Sequence, residues 1–167
     1  MKNKLPYEAT GTAIKGYAES ATAKGERNDC VVRAFASSFE VSYDYAHRYV
    51  ADEFDRKPRN GTYNTVLKLI KMGESLFKVN GKKVKQMGTP KTIGNSKIRT
   101  LEYVVTVKGC KTMRQMTVGT FTKQNPVGKF FILVNRHAFT IKDGVVIGNP
   151  EDATKTKKIM RCAFEIK

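Results

Sequence analysis

The run Phe130-Phe131-Ile132-Leu133-Val134 constrains the fold more than any other stretch. Five consecutive apolar residues suit a strand covered on both faces. After Asn135-Arg136-His137 the pattern continues as Ala138-Phe139-Thr140-Ile141-Lys142, Asp143-Gly144 and Val145-Val146-Ile147. Asp-Gly between two such runs marks a tight hairpin, because both turn residues must adopt positive φ. The second half of the chain must therefore build an antiparallel sheet with a buried centre, and other segments must cover it.

The cover is expected from the N-terminal half. Val31, Val32, Phe35, Ala36 and Phe39 recur at helical spacing. Asn28 or Asp29 caps this helix, and either choice places Cys30 in its first turn. Ser42 caps a second helix reaching about Phe54, with Ala46, Tyr49, Val50 and Phe54 inward and His47 beside that face in a structural or exposed role. Residues 55–61 read as a polar loop, and Thr62 opens a third helix ended by Gly73. A hairpin on Asn80-Gly81 follows, then a loop over 85–100 and a strand over 101–107. Cys110 falls in a loop, Thr117 caps a short helix over 118–124, and a last strand covers 159–166. Helices first and an antiparallel sheet afterwards make the class α+β. Residues 1–27, punctuated by Gly11, Gly16 and Gly25, are expected to form a weakly structured N-terminal arm, and 28–167 a single domain.

Composition narrows the functional classes. Cys30, Cys110 and Cys162 are an odd number without paired spacing, and the N-terminus has no apolar signal-like run. Both features point to free thiols in a reducing, cytoplasmic compartment. With two histidines, His47 and His137, and no Cys-x-x-Cys, neither a zinc site nor another cofactor is expected. No apolar run is long enough to span a membrane as a helix. The 31 Lys and Arg against 15 Asp and Glu give +16, which favours an acidic protein or a nucleic acid as partner. Much of this charge lies in the segment 78–114, where Lys78, Lys82, Lys83, Lys85, Lys91, Lys97, Arg99, Lys108, Lys111 and Arg114 are accompanied by few aromatics.

The chemistry-bearing residues are Cys30 and His137. A helix N-terminus presents unpaired N–H groups and the positive end of the helix dipole, and both stabilise a thiolate. A strand-borne imidazole completes an ion pair with that thiolate, and a third group fixes the imidazole's orientation. Asn149, just past the next strand, is the first candidate for this third role, and Asp143 and Asp152 are alternatives. Asp143 is favoured as a turn residue. Asn28, if not spent as the cap, places an amide donor beside the Cys30 N–H for an oxyanion. Cys110 and Cys162 are expected to be structural. Arg33, on the same helix as Cys30, is expected to brace it through a carboxylate.

Asn28-Asp29-Cys30-Val31-Val32-Arg33-Ala34, Ser42-Tyr43-Asp44, Arg136-His137-Ala138-Phe139 and Asp143-Gly144-Val145-Val146 resemble a group of small, largely uncharacterised phage and bacterial proteins. Their motif order is similar to that of papain-like cysteine peptidases, including the bacteriocin-processing type. The resemblance covers roughly 28–55 and 117–150. It implies a papain-like fold with N-terminal helices packed on a C-terminal antiparallel sheet. It implies a cysteine-dependent hydrolase or acyl transferase acting on a protein or peptide, with Cys30 as nucleophile, His137 as base and Asn149 as orienter. It also implies a phage-encoded protein working in the host cytoplasm. The papain-like pattern carries a Gln upstream of the nucleophile, and none precedes Cys30. A catalytically inactive effector on the same fold, binding an acidic host protein or nucleic acid through 78–114, is the alternative.

Overall fold

The structure, a computed structural model, describes residues 4–62 and 79–167. A six-stranded sheet forms its centre, flanked by helices. In chain order the elements are β1 (Tyr7–Ala9), α1 (Thr10–Ala13), α2 (Ala21–Gly25), α3 (Cys30–Phe39) and α4 (Tyr43–Phe54), then β2 (Val84–Gln86), β3 (Thr89–Ile93), β4 (Ser96–Thr100), β5 (Glu102–Val107) and β6 (Cys110–Gln115). The last five are α5 (Val118–Gln124), β7 (Lys129–Val134), β8 (His137–Lys142), β9 (Val145–Gly148) and β10 (Met160–Ile166). The central sheet runs β1-β9-β8-β7-β10-β2; β1 is parallel to β9 and the other pairings are antiparallel. This mixed α/β, mostly antiparallel architecture agrees with the class expected from the sequence.

β7 lies inside the sheet, as its unbroken apolar run requires. Phe131 and Leu133 face one core with Phe35, Phe39, Val50 and Phe164, while Phe130, Ile132 and Val134 face a second with Val118, Phe121, Phe139 and Ile141. Both faces are buried, so each fully buried side chain of the run contributes about 1.5–3 kcal/mol of transfer free energy. Asp143 and Gly144, at φ 48° and 78°, make the expected tight turn between β8 and β9.

α3 is the main helix of the first core. Val31, Val32, Phe35, Ala36 and Phe39 are buried, and so are Ser37 and Ser38. The Ser37 hydroxyl lies 2.6 Å from that of Thr140 on β8, and Thr140 donates to the Ala34 carbonyl at 2.9 Å. These bonds satisfy polar groups in the helix–sheet contact and fix the helix along β8. The helix ends at Glu40, whose φ is 56° and whose N–H reaches the Ala36 carbonyl. The Glu40 carboxylate then gathers Lys129 at 2.7 Å and Lys142 at 3.3 Å, tying the helix end to β7 and β8.

Residues 5–27 depart from the expectation of a weakly structured arm. β1 adds an edge strand beside β9, with Tyr7, Glu8 and Ala9 opposite Val146, Ile147 and Gly148. Ile14 is buried against α3, and Ser20 caps α2 while donating to Asp44 at 2.6 Å. Two small hairpins, β3–β4 and β5–β6, replace the loop expected over 85–100 and extend the strand expected over 101–107. Cys110 opens β6 rather than lying in a loop. Around Asn80-Gly81 the chain forms a 3₁₀ turn, and β2 pairs with β10. The expected helix over 62–73 and the strand at 76–78 lie outside the described residues from 63 onward. No helix among the described residues is long and apolar enough to cross a membrane.

Candidate active site

Cys30 is the first residue of α3 and is half-buried. The N-cap position belongs to Asp29, whose side chain does not cap the helix. Its buried carboxylate instead accepts from the Tyr43 hydroxyl at 2.8 Å and pairs with the Arg33 Nε at 2.9 Å. The amides of the first turn, with that of Cys30 foremost, therefore have no side-chain acceptor from the cap, as an anion-stabilising helix end requires. Asn28 is exposed, with φ 55°, so it occupies neither the cap position nor the core. Asn is one of the few residues that takes this backbone geometry at modest cost.

His137 opens β8 immediately after the Asn135-Arg136 turn, in which Arg136 has φ 57°. The end of the strand brings its ring to the N-terminus of α3, where His137 and Cys30 line one hollow and shift each other's ionisation. The same ring donates through Nε2 to the Asp152 Oδ2 at 2.9 Å, so Nδ1 is the nitrogen left for sulfur. The His137 side chain is 16% exposed and that of Asp152 is 0% exposed.

The third group differs from the one expected. Asn149 does not orient the imidazole. Its carboxamide accepts from the Arg33 Nη1 at 2.7 Å, and its backbone N–H donates to the Asp152 Oδ2 at 2.8 Å. Asp152, one of the two carboxylate alternatives, holds His137 instead, because a 3₁₀ turn over Asp152–Thr154 folds its side chain back under the strand end. Its second oxygen receives Lys155 at 3.0 Å. Gly148 leaves room for this carboxylate: a Cβ there would lie 2.7 Å from Oδ2. Asp143 stays in the β8–β9 turn and accepts from the Gly128 N–H at 2.9 Å. Arg33 braces the site in two directions, toward Asp29 on its own helix and toward Asn149 across the sheet end.

Charge follows from this geometry. Burial alone would raise the Cys30 thiol, but the His137 hydrogen bond and charge, the Ala138 N–H and the Arg33 charge hold it below its ordinary value. Burial would lower His137, yet Asp152 and Cys30 push it up to about 9. Burial would likewise raise Asp152; His137, the Asn149 N–H and Lys155 keep it below the usual carboxylate range. All three shifts run toward a thiolate–imidazolium pair backed by a carboxylate. Cys162, buried in the first core, is pushed up to about 12 by burial, and Cys110 is exposed on β6. A hollow of about 10 Å³, lined in part by Cys30, His137, Arg33, Asn149 and Asp152, adjoins the pair and has room for about one water.

His47 lies elsewhere. It donates from Nε2 to the Glu26 Oε1 at 2.8 Å, and Arg56 reaches Oε2 of the same carboxylate at 2.7 Å. The Arg56 side chain is wholly buried, in a stretch whose composition reads as a solvated loop. Among the described residues no group of three His, Cys, Asp or Glu is placed to hold a metal ion. No protein-family model, curated protein or solved structure matches the chain.

Proposed function

We propose that this protein is a cysteine-dependent hydrolase or acyl transferase of papain-like type, with Cys30 as nucleophile, His137 as acid–base and Asp152 as orienter. The observation that carries the proposal is the continuous chain from the helix-terminal thiol through His137 to the buried Asp152. The order of elements supports it too: a nucleophile helix early in the chain, a histidine at a strand start late in it, and an orienter after the next strand. The resemblance of these segments to phage and bacterial proteins supports, in this reading, a protein or peptide substrate in a bacterial host cytoplasm.

The steps follow from the charges. The Cys30 thiolate attacks an acyl carbon and forms a C–S bond, while the carbonyl oxygen takes up the electron pair beside the Cys30 N–H. The imidazolium of His137 gives its Nδ1 proton to the leaving amine or thiolate as that bond breaks. Neutral His137 then takes a proton from water, or from another nucleophile, as it attacks the thioester. The C–S bond breaks, the acyl product leaves and the thiolate–imidazolium pair is restored. Asp152 stays ionised throughout and keeps Nε2–H in place.

The test is selective labelling. Iodoacetamide at pH 7 is expected to modify Cys30 at least tenfold faster than exposed Cys110, with Cys162 inert in the folded protein. A p-nitrophenyl ester should give a burst of about one equivalent that is absent in Cys30→Ala. Equal, slow labelling of Cys30 and Cys110 would remove the activated thiolate and the proposal with it.

A second reading has its own observation. All of β6 is exposed, and Lys108, Lys111 and Arg114 stand on or beside the β5–β6 hairpin. In this reading the protein binds an acidic host protein or a nucleic acid through the basic segment 78–114. Retention of biological effect in Cys30→Ala would favour it over the chemistry.

A further inference from the structure

Lys108, Lys111 and Arg114 stand on or beside the exposed β5–β6 hairpin, but a different set of cations lines an open groove of about 950 Å³. One wall is α5, with its cap Thr117, with Thr120 and with Lys123 in its last turn; the other is the 154–158 loop with Lys155, Lys157 and Lys158. We infer that this groove binds the sugar–phosphate backbone of a nucleic acid. The inference moves the nucleic-acid form of the second reading to a new surface and is independent of the thiol chemistry.

The walls are held in place. Val118 N–H donates to the Lys158 carbonyl at 3.0 Å and Gly119 N–H to the Thr156 carbonyl at 2.8 Å. Gly119 permits that approach, since a Cβ on it would lie 3.1 Å from the Thr156 side chain. Met160 N–H closes the base of the loop onto the Met116 carbonyl at 3.0 Å. The cations are therefore displayed on a fixed frame, which limits the ordering cost of binding.

No carboxylate lines the groove. Lys155 is engaged with Asp152, but Lys123, Lys157 and Lys158 are exposed and have no carboxylate partner among the described residues. Threonine hydroxyls stand among the amines as neutral donors for phosphate oxygens. The lining has one large apolar residue, Leu5, and no aromatic. A protein partner is normally gripped by buried apolar or aromatic anchors, which this groove lacks. A phosphate backbone needs only regularly placed cations and donors, and without a stacking ring the binding is indifferent to sequence. The +16 net charge draws such a polyanion toward the molecule.

Fluorescence anisotropy with a labelled single-stranded 12-mer, across a salt series, tests the assignment. Wild type is expected to weaken steeply with salt, and a Lys123→Gln/Lys157→Gln/Lys158→Gln variant should lose about 2 from the log–log salt slope, roughly 0.7 per lost phosphate contact. The three positions are exposed, and thermal unfolding checks that the variant is folded. A Lys108→Gln/Lys111→Gln/Arg114→Gln variant carries the same charge change on the hairpin and should keep the wild-type slope. Equal flattening in both variants, or an unchanged slope in the groove variant, overturns the inference. Flattening only in the hairpin variant overturns it too while leaving the second reading standing. Failure of wild type to bind the oligonucleotide at low salt, or displacement by poly-glutamate at equal charge concentration, removes the nucleic-acid assignment altogether.

Discussion

The Arg33 guanidinium donates through Nη1 to the Asn149 carboxamide at 2.7 Å, joining the nucleophile helix to the loop that carries Asp152. Asn149 passes the restraint on, because its own N–H holds Asp152 at 2.8 Å and Asp152 holds His137 at 2.9 Å. Arg33 also pairs with Asp29, the residue before Cys30. The two ends of the site are thus tied by one side chain that touches neither reacting atom in these contacts.

Replacing Arg33 should therefore affect both folding and thiol reactivity. Arg33→Met strands a buried Asp29 carboxylate and is expected to cost about 3 kcal/mol by denaturant unfolding. It should also slow alkylation of Cys30 at pH 7 by about tenfold, the effect of one charge-assisted hydrogen bond. Arg33→Lys keeps the charge beside Asp29 but lacks the planar fork that reaches both partners. It should recover most of the stability and little of the reactivity. Full recovery of both would show that Arg33 acts only as a charge.

Asp152 and Asn149 make separable contributions. Asp152→Asn removes a charge that raises His137, so the imidazolium and the thiolate both lose support. The alkylation rate of Cys30 at pH 7 should fall at least tenfold, since one unit of pKa is a factor of ten. Asn149→Ala leaves the backbone N–H that holds Asp152 and removes only the Arg33 hydrogen bond, so it should cost less than Asp152→Asn, at most about tenfold, the range of one hydrogen bond to a charged group. A larger loss in Asn149→Ala than in Asp152→Asn would return the orienting role to Asn149.

The same two residues show where the sequence was legible. Cys30 and His137 were identifiable because each sits at the end of a strongly patterned element, and ends of elements are set by caps and turns that leave local signals. Asn149 and Asp152 lie together in Gly148-Asn149-Pro150-Glu151-Asp152, where no periodicity dictates which side chain folds back. That choice is made by the 3₁₀ turn and by the space over Gly148. α5 follows its Thr117 cap, and β7 to β9 follow their apolar patterning. β1 left no comparable signal, since it is three residues long and gains its place by pairing with β9 at the far end of the chain. β5 was legible in its β-branched run, whereas β3, β4 and β6 were obscured because Lys, Arg and Thr occupy positions where a half-buried strand alternates with apolar residues. Their turns, with Gly94 at φ 57° and Lys108-Gly109 at 49° and 81°, carried the better signal.

The pH dependence follows from opposite shifts in one pair. Cys30 ionises below its ordinary value, so reactivity toward a p-nitroanilide, whose amine must leave protonated, should rise with pH earlier than an unperturbed thiol would allow. His137 keeps its proton up to about 9, so a step that needs its acid should decline above that pH. The expected profile is a bell with its alkaline limb near pH 9. In Asp152→Asn this limb should move to lower pH, because a cause that raises His137 is gone. In His137→Gln the alkaline limb should vanish and the acid limb move upward, since burial then dominates the thiol. A His137→Gln profile that matches wild type would detach the histidine from the thiol.

Stability at acid pH should depend on Glu26, which anchors the approach to α3. Its side chain is 4% exposed and it collects His47, Arg56 and the Arg59 N–H. Burial alone would raise this carboxyl, but these partners bring it down to about 2 from 4.5. A depressed carboxylate contributes stability that is fully present above its unfolded value and is lost as pH falls through its folded one. The contribution should therefore hold above about pH 4.5 and fade toward pH 2. Glu26→Gln leaves the wholly buried Arg56 guanidinium without its counter-charge. At pH 7 it is expected to cost about 3 kcal/mol, or roughly 6–12 °C in Tm for a domain of this size. Thermal unfolding of both proteins between pH 7 and pH 2 checks the sign: the gap should narrow below pH 4.5 as wild-type Glu26 takes up its proton. A gap that stays constant down to pH 2 would mean that the cluster contributes through shape rather than charge.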